Sequence, residues 1–69
     1  MDFIKRNGDI LPIEVKSKKN IGADDIKNLV KFGKKFDVKK AMIVSEEEER
    51  NVSLDGIDIS IVPITKILF

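Results

Sequence analysis

The 69-residue sequence contains no cysteine, no histidine and no tryptophan, and its only aromatic residues are four phenylalanines. Without cysteine the chain can form neither a disulfide framework nor a thiolate metal site. Without histidine it lacks imidazole catalysis and the usual zinc ligands. Any metal would therefore be held by carboxylate and carbonyl oxygens, which suit Mg²⁺ or Mn²⁺.

Long apolar runs are also absent from the sequence, and Met1 leads directly into a strand-like segment. These features predict neither a membrane helix nor a secretory signal, and we expect a cytoplasmic location. A chain of this length is one small domain at most, and its core is marginal unless something else supports it. We treat residues 1–69 as a single small α/β domain.

Positive charge is concentrated in the first part of the chain. Residues 1–40 carry eleven Lys and Arg against six Asp and Glu, whereas residues 41–69 carry two against six. The two parts therefore have net charges of +5 and −4, although the whole chain has a net charge of only +1. The positive part favours a polyanionic partner such as DNA. The alternative explanation is that a lysine-rich surface keeps a small protein soluble.

Residues 2–5 and 10–16 are predicted to form a β-hairpin, because Asn7-Gly8 between two apolar segments is a strong turn signal. Alternate residues of a strand share a face, so Glu14 and Lys16 point together. A two-residue loop would place Asp2 across from Ile13, on the face opposite Glu14. An odd-length loop would place Asp2 on the face of Glu14. It would gather the apolar side chains of Phe3, Leu11, Ile13 and Val15 on the other face. We favour the odd-length loop on this hydrophobic pattern.

After the hairpin, the hydrophobic period changes to that of a helix and then back to that of a strand. Strand, helix and strand at these lengths predict a right-handed βαβ crossover with parallel strands. Gly33 on the buried helix face is expected to permit close approach to the sheet. The predicted segments are a polar connection at 17–22, a helix at 23–36, a buried strand at 41–45, a solvated charged loop or helical turn at 46–50, a turn at 55–56, a final strand at 57–62 and a short helix or tail at 64–69.

Asp2, Glu14 and Lys16 are the candidate catalytic residues. Two carboxylates aimed at one point can hold a hard divalent cation, and the backbone carbonyl of Val15 is a further candidate ligand. A metal held in this way polarises a phosphate and activates water, and a neighbouring lysine balances charge in the transition state. The chemistry predicted is phosphodiester hydrolysis with Mg²⁺ or Mn²⁺. By itself Glu-x-Lys is a weak pattern, since ion pairs between strand residues are ordinary.

These residues resemble a known family. The pattern Asp-Phe-Ile, then Leu-Pro-Ile-Glu-Val-Lys-Ser, then a helix and an apolar strand, is similar to the core of the PD-(D/E)XK nuclease superfamily. It looks most like the C-terminal domain of archaeal and bacterial AAA-type ATPases of unknown function, and it also resembles archaeal Holliday junction resolvases. The resemblance implies a restriction-endonuclease-like mixed sheet, with Asp2 and Glu14 as metal ligands and Lys16 as the catalytic lysine.

One departure from that family affects the expected organisation. The superfamily core begins with a helix and a strand before the motif aspartate, whereas this sequence begins at Met1-Asp2. We therefore expect a fold truncated at its N-terminus, the C-terminal part of a larger domain. The alternative is a module that has lost its first layer and borrows it from a partner. The sheet face and hairpin edge left uncovered predict a homodimer, or association with the missing N-terminal region.

Three functions are compatible with the sequence. The first is a metal-dependent nuclease-like domain that hydrolyses DNA, or a remnant of one. The second is a catalytically inactive nucleic-acid-binding or oligomerisation module of an ATPase-associated protein, in which Glu14 and Lys16 form a structural ion pair. The third is an unrelated small α/β structural domain. The lysines predicted to contact phosphates are Lys18, Lys19, Lys27, Lys31 and Lys34.

Overall fold

The part of the chain that the structure describes forms a five-stranded sheet and two helices. The computed structural model describes the backbone of residues 2–6 and 9–68 and the side chains of residues 10–67. The elements are β1 (Asp2–Arg6), β2 (Asp9–Val15), α1 (Ala23–Lys35), β3 (Lys40–Ser45), β4 (Arg50–Leu54), β5 (Ile57–Pro63) and α2 (Ile64–Leu68). This arrangement confirms the predicted α/β class.

The sheet is mixed, with the strand order β1-β2-β3-β5-β4. Its centre is parallel, because β2 pairs with β3 and β3 pairs with β5 in the same direction. Antiparallel hairpins form its two sides, β1 with β2 and β4 with β5. The hairpin, the parallel crossover through α1 and the final strand are those predicted. Pairing of β2 with β3 begins at Ile13, one residue after Pro12, whose nitrogen has no hydrogen to donate.

The register of the first hairpin differs from the one we favoured. Arg6 pairs with Asp9 and Asp2 pairs with Ile13, so two residues connect the strands. The prediction of an odd-length loop is therefore wrong. The error has a physical cause: both faces of β2 carry apolar residues, so the hydrophobic pattern does not select one register. The Asn-Gly signal for a two-residue turn was the better guide.

Helix α1 covers one face of the sheet and builds the core there. Leu29 and Ile43 have 0 % exposure, and Ile59 and Ile61 have 1 %. Gly33 allows the close approach that the sequence predicted, since a Cβ atom on it would lie 2.7 Å from Ile57 Cδ1. The cluster of buried apolar residues consists of Ile21, Ile26, Leu29, Val30, Ala41, Ile43, Ile57, Ile59 and Ile61.

Both ends of α1 follow the capping rules of isolated helices. Asp24 and Asp25 lie in the first turn and Lys34 and Lys35 in the last, the order that the helix dipole favours. At the C-terminus Asp37 has a positive φ of 53°. The Val38 amide donates to the Gly33 carbonyl at 2.8 Å, as in a Schellman motif. The helix therefore ends at Lys35, one residue before the predicted end.

Strand β4 was not predicted, because Val52–Leu54 is too short to indicate a strand by itself. Its pairing with β5 is fixed by the predicted turn between them, in which Asp55 and Gly56 have positive φ values of 53° and 79°. Positive φ at both central residues is characteristic of the type I′ turn that joins tight hairpins. Among the described residues no helix has the length and apolar character needed to cross a membrane.

The face of the sheet opposite α1 carries a groove of about 560 Å³. Alternation along the strands places Leu11, Ile13 and Val15 on this face, and Val15 is 60 % exposed. The groove is lined by Leu11, Lys40, Ala41, Met42, Asn51, Val52, Ser53, Asp58, Ile59 and Ser60.

Candidate functional site

Four charged side chains meet where β2 ends and α1 begins, and we call Glu14, Lys16, Lys18 and Asp25 the charged cluster. Lys16 Nζ lies 3.5 Å from Glu14 Oε1 and 3.7 Å from Asp25 Oδ1. Lys18 Nζ lies 2.8 Å from Asp25 Oδ2. Lys16 therefore lies between two carboxylates, one from the sheet and one from the helix.

Glu14 and Lys16 are where the sequence placed them, on one face of β2 and in contact. In the parallel register Glu14 is the neighbour of Ile43, so this face is the one covered by α1. The Glu14 side chain is 22 % exposed and the Lys16 side chain 32 % exposed. The ion pair is thus partly shielded from solvent, which strengthens it relative to a pair in open water.

Asp25 is the member of the cluster that sequence reasoning missed. Its side chain is 9 % exposed, and Oδ2 accepts a hydrogen bond from the Gly22 amide at 3.1 Å. This contact is the N3-to-N-cap half of a capping box, and Gly22 has no side chain to supply the other half. The sequence pattern of α1 indicates only that Asp24 and Asp25 favour the helix dipole. An acidic residue at the third position of a helix that follows a lysine-rich loop is the signal that could have identified Asp25.

The environment of Asp25 stabilises its ionised form. The hydrogen bond from Lys18 is the largest cause holding the pKa of this carboxyl below its ordinary 3.8. The Gly22 amide and the charges of Lys18 and Lys16 act in the same direction, whereas burial opposes them. Asp25 is therefore a fixed negative charge at neutral pH, and it neutralises part of the lysine pair beside it.

Asp2, the third residue of the predicted site, has a side chain that lies outside the described residues. Its backbone position is described, and it pairs with Ile13. Residues directly opposite one another in an antiparallel pair share a face, and Ile13 and Glu14 are on opposite faces. The backbone register therefore pairs position 2 with Ile13 and not with Glu14, and the role of Asp2 stays a prediction.

The described residues do not by themselves suit Mg²⁺ or Mn²⁺. No group of three or more carboxylates able to hold a metal ion occurs among them. In the charged cluster the two carboxylates are already balanced by two ammonium groups within 4 Å. A divalent cation at this point would be repelled by both lysines. The proposed contribution of the Val15 carbonyl stays a prediction.

The lysines predicted to contact phosphates are all exposed. Lys18 pairs with Asp25, Lys34 Nζ lies 2.9 Å from Asp55 Oδ2, and Lys19 Nζ lies 4.0 Å from Glu47 Oε1. Lys27 and Lys31 have no carboxylate within ion-pair distance among the described side chains. They lie one turn apart on the outer face of α1, a spacing that places their Cβ atoms about 6 Å from one another.

The charged run 46–50 differs from the solvated loop or helical turn that we predicted. Exposure of Glu46, Glu47 and Glu49 agrees with that interpretation. Glu48 does not, since its side chain is 19 % exposed and accepts a hydrogen bond from the Ile21 amide at 2.6 Å. Arg50 begins β4 and donates to the Ile21 carbonyl at 3.2 Å. The run therefore holds the connection before α1.

Comparison with known protein families identifies the family of this chain. A family model described as "Domain of unknown function (DUF4143)" matches residues 1–67. The chain belongs to the DUF4143 family. Domains of this family are found in ATPase-associated proteins. No curated protein and no solved structure matches the chain.

The DUF4143 domain presents two kinds of charged site with different chemistry. The charged cluster is partly buried and has as many described carboxylates as ammonium groups, which suits a network that holds β2 against α1. The outer face of α1 is exposed and has lysines with no described carboxylate partner, so it can bind an anion without first breaking an ion pair. The second site is the better candidate for recognition of another molecule.

Proposed function

We propose that this DUF4143 domain binds the phosphate backbone of nucleic acid as a module of an ATPase-associated protein. The observation that carries the proposal is the charge of the crossover between β2 and β3. Residues 16–39, which connect the two strands, contain eight lysines against three aspartates, a net charge of +5 in a chain whose total is +1. A surface charged in this way attracts a polyanion irrespective of base sequence.

Lys27 and Lys31 are proposed as the central phosphate contacts. Both are exposed on the 13-residue helix α1, where a rigid backbone fixes their spacing. Because neither has a described ion-pair partner, contact with phosphate displaces only water and counterions. Lys18, Lys19 and Lys34 are proposed as further contacts, although each must share its ammonium group with a carboxylate.

In this proposal the charged cluster has a structural role. Asp25 joins the first turn of α1 to the lysine-rich connection, and Glu14 joins Lys16 to the sheet. The four charges cancel, so the cluster adds little to the field that a polyanion meets. It keeps the crossover segment in place and needs no metal to do so.

Metal-dependent DNA hydrolysis is a second candidate function. It is favoured by the position of Lys16 Nζ, which lies within 4 Å of the carboxylates of both Glu14 and Asp25. A carboxylate pair with an adjacent lysine is the arrangement that the resemblance to PD-(D/E)XK nucleases implies. The described residues do not complete a Mg²⁺ or Mn²⁺ site, so this candidate requires a further ligand such as Asp2 or a residue of a partner.

The proposal is tested by titrating fluorescently labelled duplex DNA at salt concentrations between 50 and 200 mM. Each lysine–phosphate contact contributes about −0.9 to the slope of log K against log salt. Lys27→Ala/Lys31→Ala is therefore expected to make the slope shallower by about 2. Lys40→Ala is the matched control, because Lys40 is exposed beside the groove on the other face of the sheet. It should leave the slope unchanged.

The same samples decide between binding and hydrolysis. Labelled DNA is incubated with Mg²⁺ or Mn²⁺ and its length is followed by electrophoresis. We expect intact DNA, and cleavage abolished by both Glu14→Gln and Lys16→Ala would establish the second candidate instead. A wild-type protein that does not bind DNA, or one for which Lys27→Ala/Lys31→Ala and Lys40→Ala behave alike, would overturn the proposed function.

Association with another protein surface stays part of the proposal. The groove opposite α1 and the 60 % exposure of Val15 support the predicted homodimer. Sedimentation equilibrium over a range of concentrations measures whether this dimer forms in solution. A cytoplasmic location also stays a prediction.

A further inference from the structure

Glu48 and Arg50 together hold both backbone polar groups of Ile21, and we call these two side chains the Ile21 clamp. Glu48 Oε2 accepts from the Ile21 amide at 2.6 Å, and Arg50 Nη2 donates to the Ile21 carbonyl at 3.2 Å. Arg50 Nε lies 3.0 Å from Glu48 Oε1, so the two side chains also fix one another. The contacts span 27 and 29 residues of sequence.

The clamp is itself anchored on the sheet. Ser45, which is 1 % exposed at the end of β3, donates from its hydroxyl group to the Glu48 carbonyl at 2.9 Å. One residue further, the Glu46 amide donates to the Lys18 carbonyl at 2.8 Å. The connection between β2 and α1 is thus tied at Lys18 and again at Ile21. Lys19 lies between these two points.

We propose that the Ile21 clamp positions Lys18 and Lys19 for contact with a nucleic-acid phosphate backbone. Glu48 and Arg50 are positioning residues in this inference, which rests on the proposed function. A lysine on an unrestrained loop must lose conformational freedom when it binds, and that loss weakens affinity. The clamp fixes the loop during folding, so less freedom remains to be lost on binding. The Lys18 and Lys19 side chains are 51 % and 68 % exposed, and each shares its ammonium group with one carboxylate, Asp25 or Glu47.

The two contacts of Arg50 depend on the shape of its guanidinium group. Its planar guanidinium group directs Nε to Glu48 and Nη2 to Ile21 at the same time. A lysine has the same charge, but a single ammonium group cannot reproduce the two fixed directions. Arg50→Lys therefore weakens the clamp while leaving the net charge unchanged. A change in DNA affinity caused by this substitution therefore reports the positioning of the lysines and not the net electrostatic attraction.

The experiment measures the affinity of duplex DNA for the wild type and Arg50→Lys, each with and without Lys18→Ala/Lys19→Ala. We expect Arg50→Lys to lower affinity about fivefold in the wild-type background, which corresponds to ordering about one side chain. In the Lys18→Ala/Lys19→Ala background it should change affinity by less than about twofold, because the positioned groups are absent. Lys39→Arg, a charge-preserving change at a side chain 81 % exposed, is the control and should have no effect.

A second readout reports the clamp directly. Hydrogen exchange of the Ile21 amide should be faster in Arg50→Lys than in the wild type, while exchange of the buried Leu29 amide in α1 stays slow. If Arg50→Lys is not folded by circular dichroism, Glu48→Asp replaces it, since this change also preserves charge and shortens the reach to Ile21. The expected affinities and exchange rates are the same for either variant.

Each outcome bears on the inference. A wild-type protein that fails to bind DNA overturns both the inference and the proposed function. Binding that depends on Lys27 and Lys31 but is equal in the wild type and the clamp variant overturns the inference alone. An undiminished loss of affinity in the Lys18→Ala/Lys19→Ala background also overturns it, because the clamp would then act elsewhere.

Discussion

Substitution of Asp25 provides a quantitative test of the charged cluster. Asp25→Asn removes the negative charge but keeps an amide oxygen that can accept from the Gly22 amide, which now lies 3.1 Å from Oδ2. Asp25→Ala removes both the charge and the acceptor. The difference between these variants separates the ion pairs with Lys16 and Lys18 from the helix cap.

The expected magnitudes follow from burial. Hydrogen bonds to charged groups contribute about 1.5–3 kcal/mol when shielded, and exposed ion pairs about 0–1 kcal/mol. The Asp25 side chain is 9 % exposed but its partner Lys18 is 51 % exposed, so the loss should lie between these limits. We expect Asp25→Asn to lower the free energy of unfolding by about 1–2 kcal/mol. Asp25→Ala should lower it by about 2–3 kcal/mol, because a lost cap adds about 1 kcal/mol.

The pH dependence has a definite sign. The pKa of Asp25 is lower in the folded protein than the ordinary 3.8, so the unfolded chain binds the proton more readily. The stabilisation from ionised Asp25 is therefore fully present well above pH 3.8 and is lost as the pH falls through the folded pKa. Urea unfolding of the wild type and Asp25→Asn should differ most at pH 7, and the difference should shrink below pH 3.8. A difference that is the same at pH 7 and pH 2.5 would refute the assigned ion pairs.

Two further predictions concern glycines and are measured by urea unfolding. Gly33→Ala should lower the free energy of unfolding by about 1 kcal/mol. A Cβ atom on residue 33 would lie 2.7 Å from Ile57 Cδ1, and the energetic cost of this crowding should exceed the stabilisation from the higher helix propensity of alanine. Ile57→Val deletes that methyl group, so Gly33→Ala should cost less in its presence, and strictly additive effects would contradict the contact. Gly56→Ala should also lower stability by about 1 kcal/mol, through backbone strain alone, since its φ is +79° and no atom lies within 4 Å of the added Cβ. Gly56→Asn should be milder because asparagine tolerates positive φ, and equal losses would argue against strain as the cause.

Much of the fold could be predicted because local patterns determine it. A few neighbouring residues are enough to indicate each of three features. These are the period of 3.6 residues in α1, the continuous apolar strand β3 and the Asp55-Gly56 turn. The common face of Glu14 and Lys16 follows from strand alternation in the same way. Close packing at Gly33 was predicted for a related reason, because a glycine on a buried helix face has no side chain to keep the helix away from the sheet.

The hairpin register and the partners of charged residues could not be predicted in this way. Apolar residues on both faces of β2 make two registers nearly equivalent in hydrophobic pattern, and the pairing of Asp2 with Ile13 decides between them. Asp25 joins Lys16 and Lys18 only because α1 folds back over the end of β2. A helical pattern shows that Asp25 lies in the first turn, but it does not show which loop residues it meets.

The sequence by itself determined the α/β class, the order of the main elements and the concentration of lysines between β2 and β3. Tertiary structure alone decided that Glu48 and Arg50 hold Ile21, and that the acid beside Lys16 and Lys18 is Asp25. The physical reason is the range of the interactions. Periodicity and turn chemistry act over a few residues, whereas a contact across 29 residues depends on how packed elements bring distant side chains together.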